Sequence, residues 1–193
     1  MKIVGIIAII ASIVIIAGII VLARYGLFAS VKISEQTAGP YTLVYTKHIG
    51  DYKNVAPVMD SLYSDLKDNY GMEPPKGFGL YYDNPRDVDK EELRSIVGCI
   101  LDDGGDGNLV KVQERYSIGE YPESKSVVVE FPYKGSMSIM VGMMRVYPKL
   151  NKYFAENDYS QTPIMEIYDQ QNAKIQYVAS VNLSQEIFQS FLE

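Results

Sequence analysis

"YTLVYTKHIG", residues 41–50, is the stretch on which the fold turns. Its β-branched and aromatic residues suit a pleated surface, and Gly50 breaks the run. The period then changes. Val55, Val58, Met59, Leu62 and Leu66 recur at helical spacing, which predicts an amphipathic helix over residues 52–69. A proline-bearing loop follows, then a strand in "FGLYYD" (78–83), the charged connection "NPRDVDKEE" and a third strand in "LRSIVGCIL" (93–101). The order is strand, helix, strand, strand.

That order returns. "SVVVEFPY" (126–133) reads as a strand and Gly135 stops it. Ile139, Met140, Met143, Val146, Tyr147, Leu150 and Phe154 then trace a helical stripe, followed by strands in "IMEIYD" (164–169) and "KIQYVASV" (174–181). Gly50 and Gly135 are 85 residues apart; Tyr82 and Tyr168 are 86 apart. The matching order and spacing suggest two copies of one unit, 41–101 and 126–181. The connection 102–125 is expected to hold a short helix near Leu109 to Tyr116. The tail 184–192 is expected to be helical, with Ser184 as its cap. A helix must bury its apolar stripe against another layer. The expected fold is therefore α+β: a duplicated β-α-β-β domain over 41–193 with an antiparallel sheet and both helices on one face. The cleft between the halves is expected on the sheet face opposite the helices.

Residues 1–23 stand apart. "IVGIIAIIASIVIIAGIIVLA" contains no charge and one serine. Its length matches a hydrocarbon core of roughly 30 Å at about 1.5 Å per residue, which predicts a transmembrane anchor. A cleaved signal peptide is the alternative, although its apolar region would be shorter. Lys2 on one side and Arg24 and Lys32 on the other leave the orientation undetermined. Residues 24–40 read as a linker, part of which enters the domain as an edge strand.

Composition excludes several function classes. The net charge is −6 and no basic stripe marks a nucleic-acid surface. One cysteine, Cys99, and one histidine, His48, exclude a disulfide and multi-histidine or multi-cysteine metal sites. Cys99 in an apolar strand is expected to be a buried small hydrophobe, and His48 a strand-end residue. "DDGGDG" (102–107) lacks the ligand spacing of a calcium loop and reads as a solvated turn. The methionines of "SMSIMVGMMR" are expected to pack in the core at Met140 and Met143. No cofactor or metal is expected.

Glu166 is the unusual residue. It lies inside a strand otherwise suited to burial, where an unpaired charge costs several kcal/mol. Aligning Tyr82 with Tyr168 sets Leu80 against Glu166, so the unit accepts an apolar residue where the second copy has a carboxylate. Glu166 and Tyr168, two apart, share a face. A carboxylate among aromatic rings suits an organic cation, because ring faces attract positive charge. Tyr45, Tyr81, Tyr82, Tyr133 and Tyr168 are the candidate walls. Exposure on a wet sheet face is the competing reading for Glu166, and it also stands for Glu130.

"YTLVYTKHIGDY", "GFGLYYDNP", "LRSIVGCIL", "VVVEFPYKG" and "PIMEIYD" together resemble the GyrI-like domain, also known as the effector-binding domain of multidrug-responsive bacterial regulators. The resemblance runs over about residues 30–181. With the apolar N-terminus it is narrower still, toward the membrane-anchored branch that includes the animal testis-expressed reticulophagy receptors. The resemblance implies a duplicated strand-helix-strand-strand fold with a cleft between its halves. It implies that Glu166, in "EIY", contacts a cationic ligand, and that a relative acting as a hydrolase would use the same glutamate with a tyrosine. This sequence has no helix-turn-helix ahead of the domain, so a transcription-factor role is not expected.

These readings favour a single-pass membrane protein whose domain, expected on the cytoplasmic side, binds a small cationic or amphipathic organic molecule. The alternatives are a hydrolase of a reactive lipophilic compound and a tethered module that docks a protein partner.

Overall fold

The computed structural model describes residues 2–101 and 109–193. The 102–107 turn therefore lies outside the described residues. An apolar helix, α1 (Lys2–Arg24), comes first, then strands β1 (Ile33–Ala38) and β2 (Tyr41–Ile49). A short 3-10 turn at Tyr52–Asn54 leads into α2 (Val55–Tyr70), β3 (Lys76–Tyr81) and β4 (Arg94–Leu101). After α3 (Leu109–Val112) come β5 (Ser117–Tyr121), β6 (Ser124–Pro132), α4 (Ser136–Glu156), β7 (Ile164–Asp169), β8 (Lys174–Ser180) and α5 (Gln185–Ser190). The architecture is α+β, and strand, helix, strand, strand runs twice: β2-α2-β3-β4 and β6-α4-β7-β8.

All eight strands form one curled antiparallel sheet in the order β1-β6-β8-β7-β3-β4-β2-β5. The halves meet where β3 pairs with β7, from Lys76 opposite Asp169 to Tyr81 opposite Ile164. Alternation along the strands sorts side chains onto two faces. One face carries Val127, Val129 and Phe131 of β6, Ile175 and Tyr177 of β8, Tyr168 of β7 and Cys99 of β4.

Both long helices lie on that face. The buried line of α4 is Ser138, Val141, Gly142, Val146, Leu150 and Phe154, spaced by three and four. It packs on Val127, Val129, Phe131 and Tyr177. α2 buries Leu62 and Leu66 against Val44, Cys99 and Leu101. Burial pushes the Cys99 thiol up to about 12, as suits an inert apolar filler.

The other face was expected to be open, and it is not. Phe188 and Phe191, of α5 and its end, cover Leu43, Phe78, Leu80, Met165 and Ile167. The apolar alternation of those strands puts a second layer of Leu, Ile and Phe there, and that layer demands a cover.

Register also corrects the alignment of the halves. Leu80 stands opposite Met165, and both belong to the α5 side. Glu166 stands opposite Gly79 on the helix side. Matching tyrosine to tyrosine was therefore one residue out, and a slip of one turns a side chain to the other face. Tyr81, not Leu80, faces the same side as Glu166.

Two further differences have physical causes. β5 lies within the connection 102–125, where no strand was expected. "SIGEY" has a weak strand pattern, but it pairs with β2 and covers that edge. The methionines of α4 do not pack in the core. Met140 and Met143 are each 42% exposed and Met144 is 68% exposed. The small residues Ser138 and Gly142 take the inward positions instead, letting the helix approach the sheet.

Leu150 is fully buried between α4 and the sheet. Leu150→Ala is expected to cost about 2–5 kcal/mol, the usual range for truncating a buried leucine, read as a lower urea midpoint with an unchanged slope.

Candidate functional site

Glu166 sits mid-strand in β7, between Gly79 of β3 and Tyr177 of β8. It is 1% exposed, so the reading that turned it to bulk water does not hold. Tyr147, reaching down from α4, donates its hydroxyl to Glu166 Oε1 at 2.7 Å. Tyr168 donates to Oε2 at 3.0 Å. The Tyr81 hydroxyl lies 3.0 Å from that of Tyr168. With the Tyr168 proton committed to the carboxylate, Tyr81 donates to Tyr168. The chain of hydroxyls thus runs Tyr81, Tyr168, Glu166. Among the described residues the partners of Glu166 are these hydroxyls and no cation.

Small residues make the cluster possible. A Cβ on Gly79 would stand 2.6 Å from Tyr81 Oη, so the ring leans over the bare glycine toward the carboxylate. Tyr177 points at the helix where Gly142 leaves room, and its ring meets that of Tyr147 edge-on at 5.9 Å. The Tyr177 hydroxyl is buried and has no hydrogen-bond partner among the described residues. Tyr52, in the turn before α2, sets its ring 4.9 Å from Tyr81. Tyr133 closes one side, 6.5 Å from Tyr168.

The expected site residues therefore divide by face. Glu166, Tyr168, Tyr81 and Tyr133 come together beneath the helices. Tyr45 and Tyr82 do not join them. Tyr82 donates its hydroxyl to the Phe188 carbonyl at 2.8 Å, and Tyr45 meets the Phe191 ring edge-on at 5.8 Å, both on the α5 side. Alternation explains this directly, since Tyr81 and Tyr82 are neighbours on one strand and face opposite ways. Sequence reasoning left out Tyr147, Tyr177 and Tyr52. The helical stripe marks Tyr147 as core; the residue is partly buried, and its hydroxyl enters the site. The available signals were Gly79 and Gly142, the small residues facing the rings.

Glu130 stands outside the site. It is exposed on β6, and Lys174 at 2.7 Å holds its carboxyl below the usual range.

The electrostatics of Glu166 follow from its surroundings. Burial pushes its carboxyl up to about 7, against the hydroxyls of Tyr147 and Tyr168, which pull it down. Burial, reinforced by the nearby carboxylate, pushes the Tyr147 and Tyr168 phenols well above their ordinary value, so both stay protonated donors. A carboxyl near neutrality can hold or release a proton under physiological conditions. As an anion it lacks a counter-ion.

Residues 32–188 match the family described as the GyrI-like small molecule binding domain. The chain belongs to the GyrI-like family. Among curated proteins, it is 29% identical over 136 residues to the testis-expressed protein 264 homolog of Mus musculus, which spans 67% of this chain and 42% of that one. It is 27% identical over 154 residues to testis-expressed protein 264 of Homo sapiens, spanning 75% and 47%. The chain thus spans less than half the length of the curated relatives it matches. Among solved structures, the C-terminal domain of EcmrR superposes with a TM-score of 0.54 at 15% identity, covering 80% of this chain and 99% of that one. That likeness concerns the fold. It places this GyrI-like domain on a known scaffold.

Burial of Glu166 has a measurable cost. An ordinary glutamate titrates near 4.5 and this one near 7, so between those values the folded chain holds a proton that the unfolded chain has lost. Stability falls as pH rises from about 4.5 through 7, and the loss is complete above 7. Relative to the wild type, Glu166→Gln is expected to gain about 2 kcal/mol between pH 5 and pH 8. Urea midpoints of both proteins at the two pH values check this.

Proposed function

We propose that this GyrI-like domain binds a small cationic or amphipathic organic molecule, with Glu166 as the charge partner and Tyr168, Tyr81, Tyr133 and Tyr147 as walls. The observation behind this reading is the carboxylate of Glu166, fully buried and held by tyrosine hydroxyls without a cation. Such a group costs stability where it stands, and a positively charged ligand would supply the missing counter-ion. Ring faces around it would add attraction. Access runs past Tyr147, the one hydroxyl donor on a half-exposed side chain. A ligand would reach the carboxylate by displacing that side chain from Glu166 Oε1. Tyr168, 7% exposed and in the sheet, stays as the fixed donor.

A hydrolase is the second reading, favoured by one observation: a carboxyl lifted to about 7 amid phenols is suited to accept a proton from water or an attacking group. The two readings part on one variant. In the binding reading, Glu166→Gln weakens affinity for a cationic dye by about tenfold or more, the scale of a lost buried ion pair, while a neutral dye of the same shape is little affected. Equal affinities of variant and wild type for the cationic dye would defeat it. In the hydrolase reading the wild type turns over a strained electrophile and Glu166→Gln does not.

The N-terminal helix supports a further part of the proposal. Within Ile3–Arg24 an 18-residue window has a mean hydropathy of 3.3 and is unburied by the rest of the chain, and the helix is long and apolar enough to cross a membrane. We read it as a retained single-pass anchor that holds the domain on the cytoplasmic side. Full-length chain is then expected to stay with membranes through alkaline carbonate and to leave them in detergent, with Met1 to Arg24 still present by intact mass. Release by carbonate, or loss of these residues, would reject the anchor.

A further inference from the structure

Residues 22–31 form an ordered strap. The amide of Leu27 bonds the Leu22 carbonyl at 3.0 Å, and that of Ala29 bonds the Gly26 carbonyl at 2.9 Å. Leu22, Tyr25 and Leu27 pack on the core beneath α4. The Arg145 guanidinium donates to the carbonyls of Leu27 and Ala29, and Lys149 Nζ reaches the Val31 carbonyl at 3.4 Å. Gly26 has a φ of 100°, and a Cβ there would stand 2.7 Å from the Phe131 ring. The strap therefore runs along α4 from its first half onward, and α1 leaves the domain at a fixed place, beside the end of β6 and the start of α4.

Two independent features mark the surface at that place. The first is apolar. Phe28, between the two strap residues whose carbonyls Arg145 holds, is 70% exposed, and Met144, next to Arg145 on α4, is 68% exposed, with Met140 at 42% and Met137 at 36% toward the start of α4. Scattered exposed apolar residues are ordinary, but a group of them beside an apolar helix is a patch. The second is charge. Residues 21–34 and 131–154 carry Arg24, Lys32, Lys134, Arg145, Lys149 and Lys152 and no Asp or Glu, in a chain of net charge −6. The next carboxylate along the strap, Glu35, is tied to Lys125 at 2.8 Å. Among the described residues, the ion pair of this group is Lys152 with Glu156 at 3.6 Å, at the end of α4 away from α1.

We propose that this face, made by the strap and the outer side of α4, rests on the surface of an anionic lipid bilayer. The apolar side chains enter the headgroup boundary and the basic ones meet lipid phosphates and carboxylates, as on other interfacial helices. The inference rests on the anchor reading, because α1 brings the face to the bilayer. It goes beyond it, because a flexible tether would leave the domain free in water.

The test uses full-length chain reconstituted in phosphatidylcholine vesicles with and without phosphatidylserine, the lipids carrying a fluorescence quencher. A polarity-sensitive dye is attached in turn through Phe28→Cys, Met144→Cys and, as a distant control, Asp87→Cys on the exposed loop at the opposite end of the sheet. Buried Cys99 stays unlabelled. The expected result is several-fold stronger quenching at positions 28 and 144 than at 87, increased by phosphatidylserine and reduced by Lys32→Glu with Lys134→Glu. If the chain resists carbonate but positions 28 and 144 read like position 87, the domain stands off the membrane, and this inference fails while the anchor survives. If carbonate releases the chain, the anchor reading fails and this one with it.

Discussion

The antiparallel pairing of β3 with β7 is the constraint on which the structure depends. Six residue pairs along this seam join the four strands β1-β6-β8-β7 to the four strands β3-β4-β2-β5 in one eight-stranded sheet. They also fix which residues share a face. Because Glu166 falls opposite Gly79, it shares a side with Tyr81, Tyr168 and Tyr177 and lies beneath α4. Moved by one residue, the same carboxylate would enter the apolar layer under α5, away from the hydroxyls of Tyr147 and Tyr168. The register thus decides both where the charge sits and what surrounds it.

The site makes sense as a polar cluster held in place by packing. α4 approaches the sheet closely because Ser138 and Gly142 face inward, and that approach brings the Tyr147 hydroxyl down to the carboxylate. Gly79 provides the matching space from below, for Tyr81. Buried polar groups persist when they are hydrogen-bonded. Each oxygen of Glu166 has a donor, yet among the described residues no partner neutralises its charge. A group satisfied in hydrogen bonds but not in charge is stable enough to be kept and costly enough to attract a cation. That imbalance, more than the fold, supports a binding role.

The N-terminal strap links this interior to the exterior. Leu22 and Leu27 pack on the same core that α4 covers, and Arg145 ties the strap's carbonyls to α4 itself. The apolar helix and the tyrosine cluster are thus both in contact with α4. A domain built this way has a defined orientation relative to its N-terminal helix.

Much of this was legible in the chain alone. Periodicity gave α2, α4 and the principal strands, because an amphipathic element writes its buried face into the sequence. The oddity of Glu166 was legible too, since a carboxylate inside an apolar strand has few cheap explanations. The tertiary structure decided what the sequence left open. Alternation separates Tyr81 from Tyr82, but register decided that Tyr81 is the one beside Glu166 and removed Tyr45 from the site, because which faces of two strands coincide depends on how they pair. Packing brought in Tyr147 and Tyr177, which come from a helix and from another strand. It also turned Met140 and Met143 outward, because the helix's depth against the sheet is set by its smallest residues, and a hydropathy stripe does not show which of two adjacent lines will be the closer one.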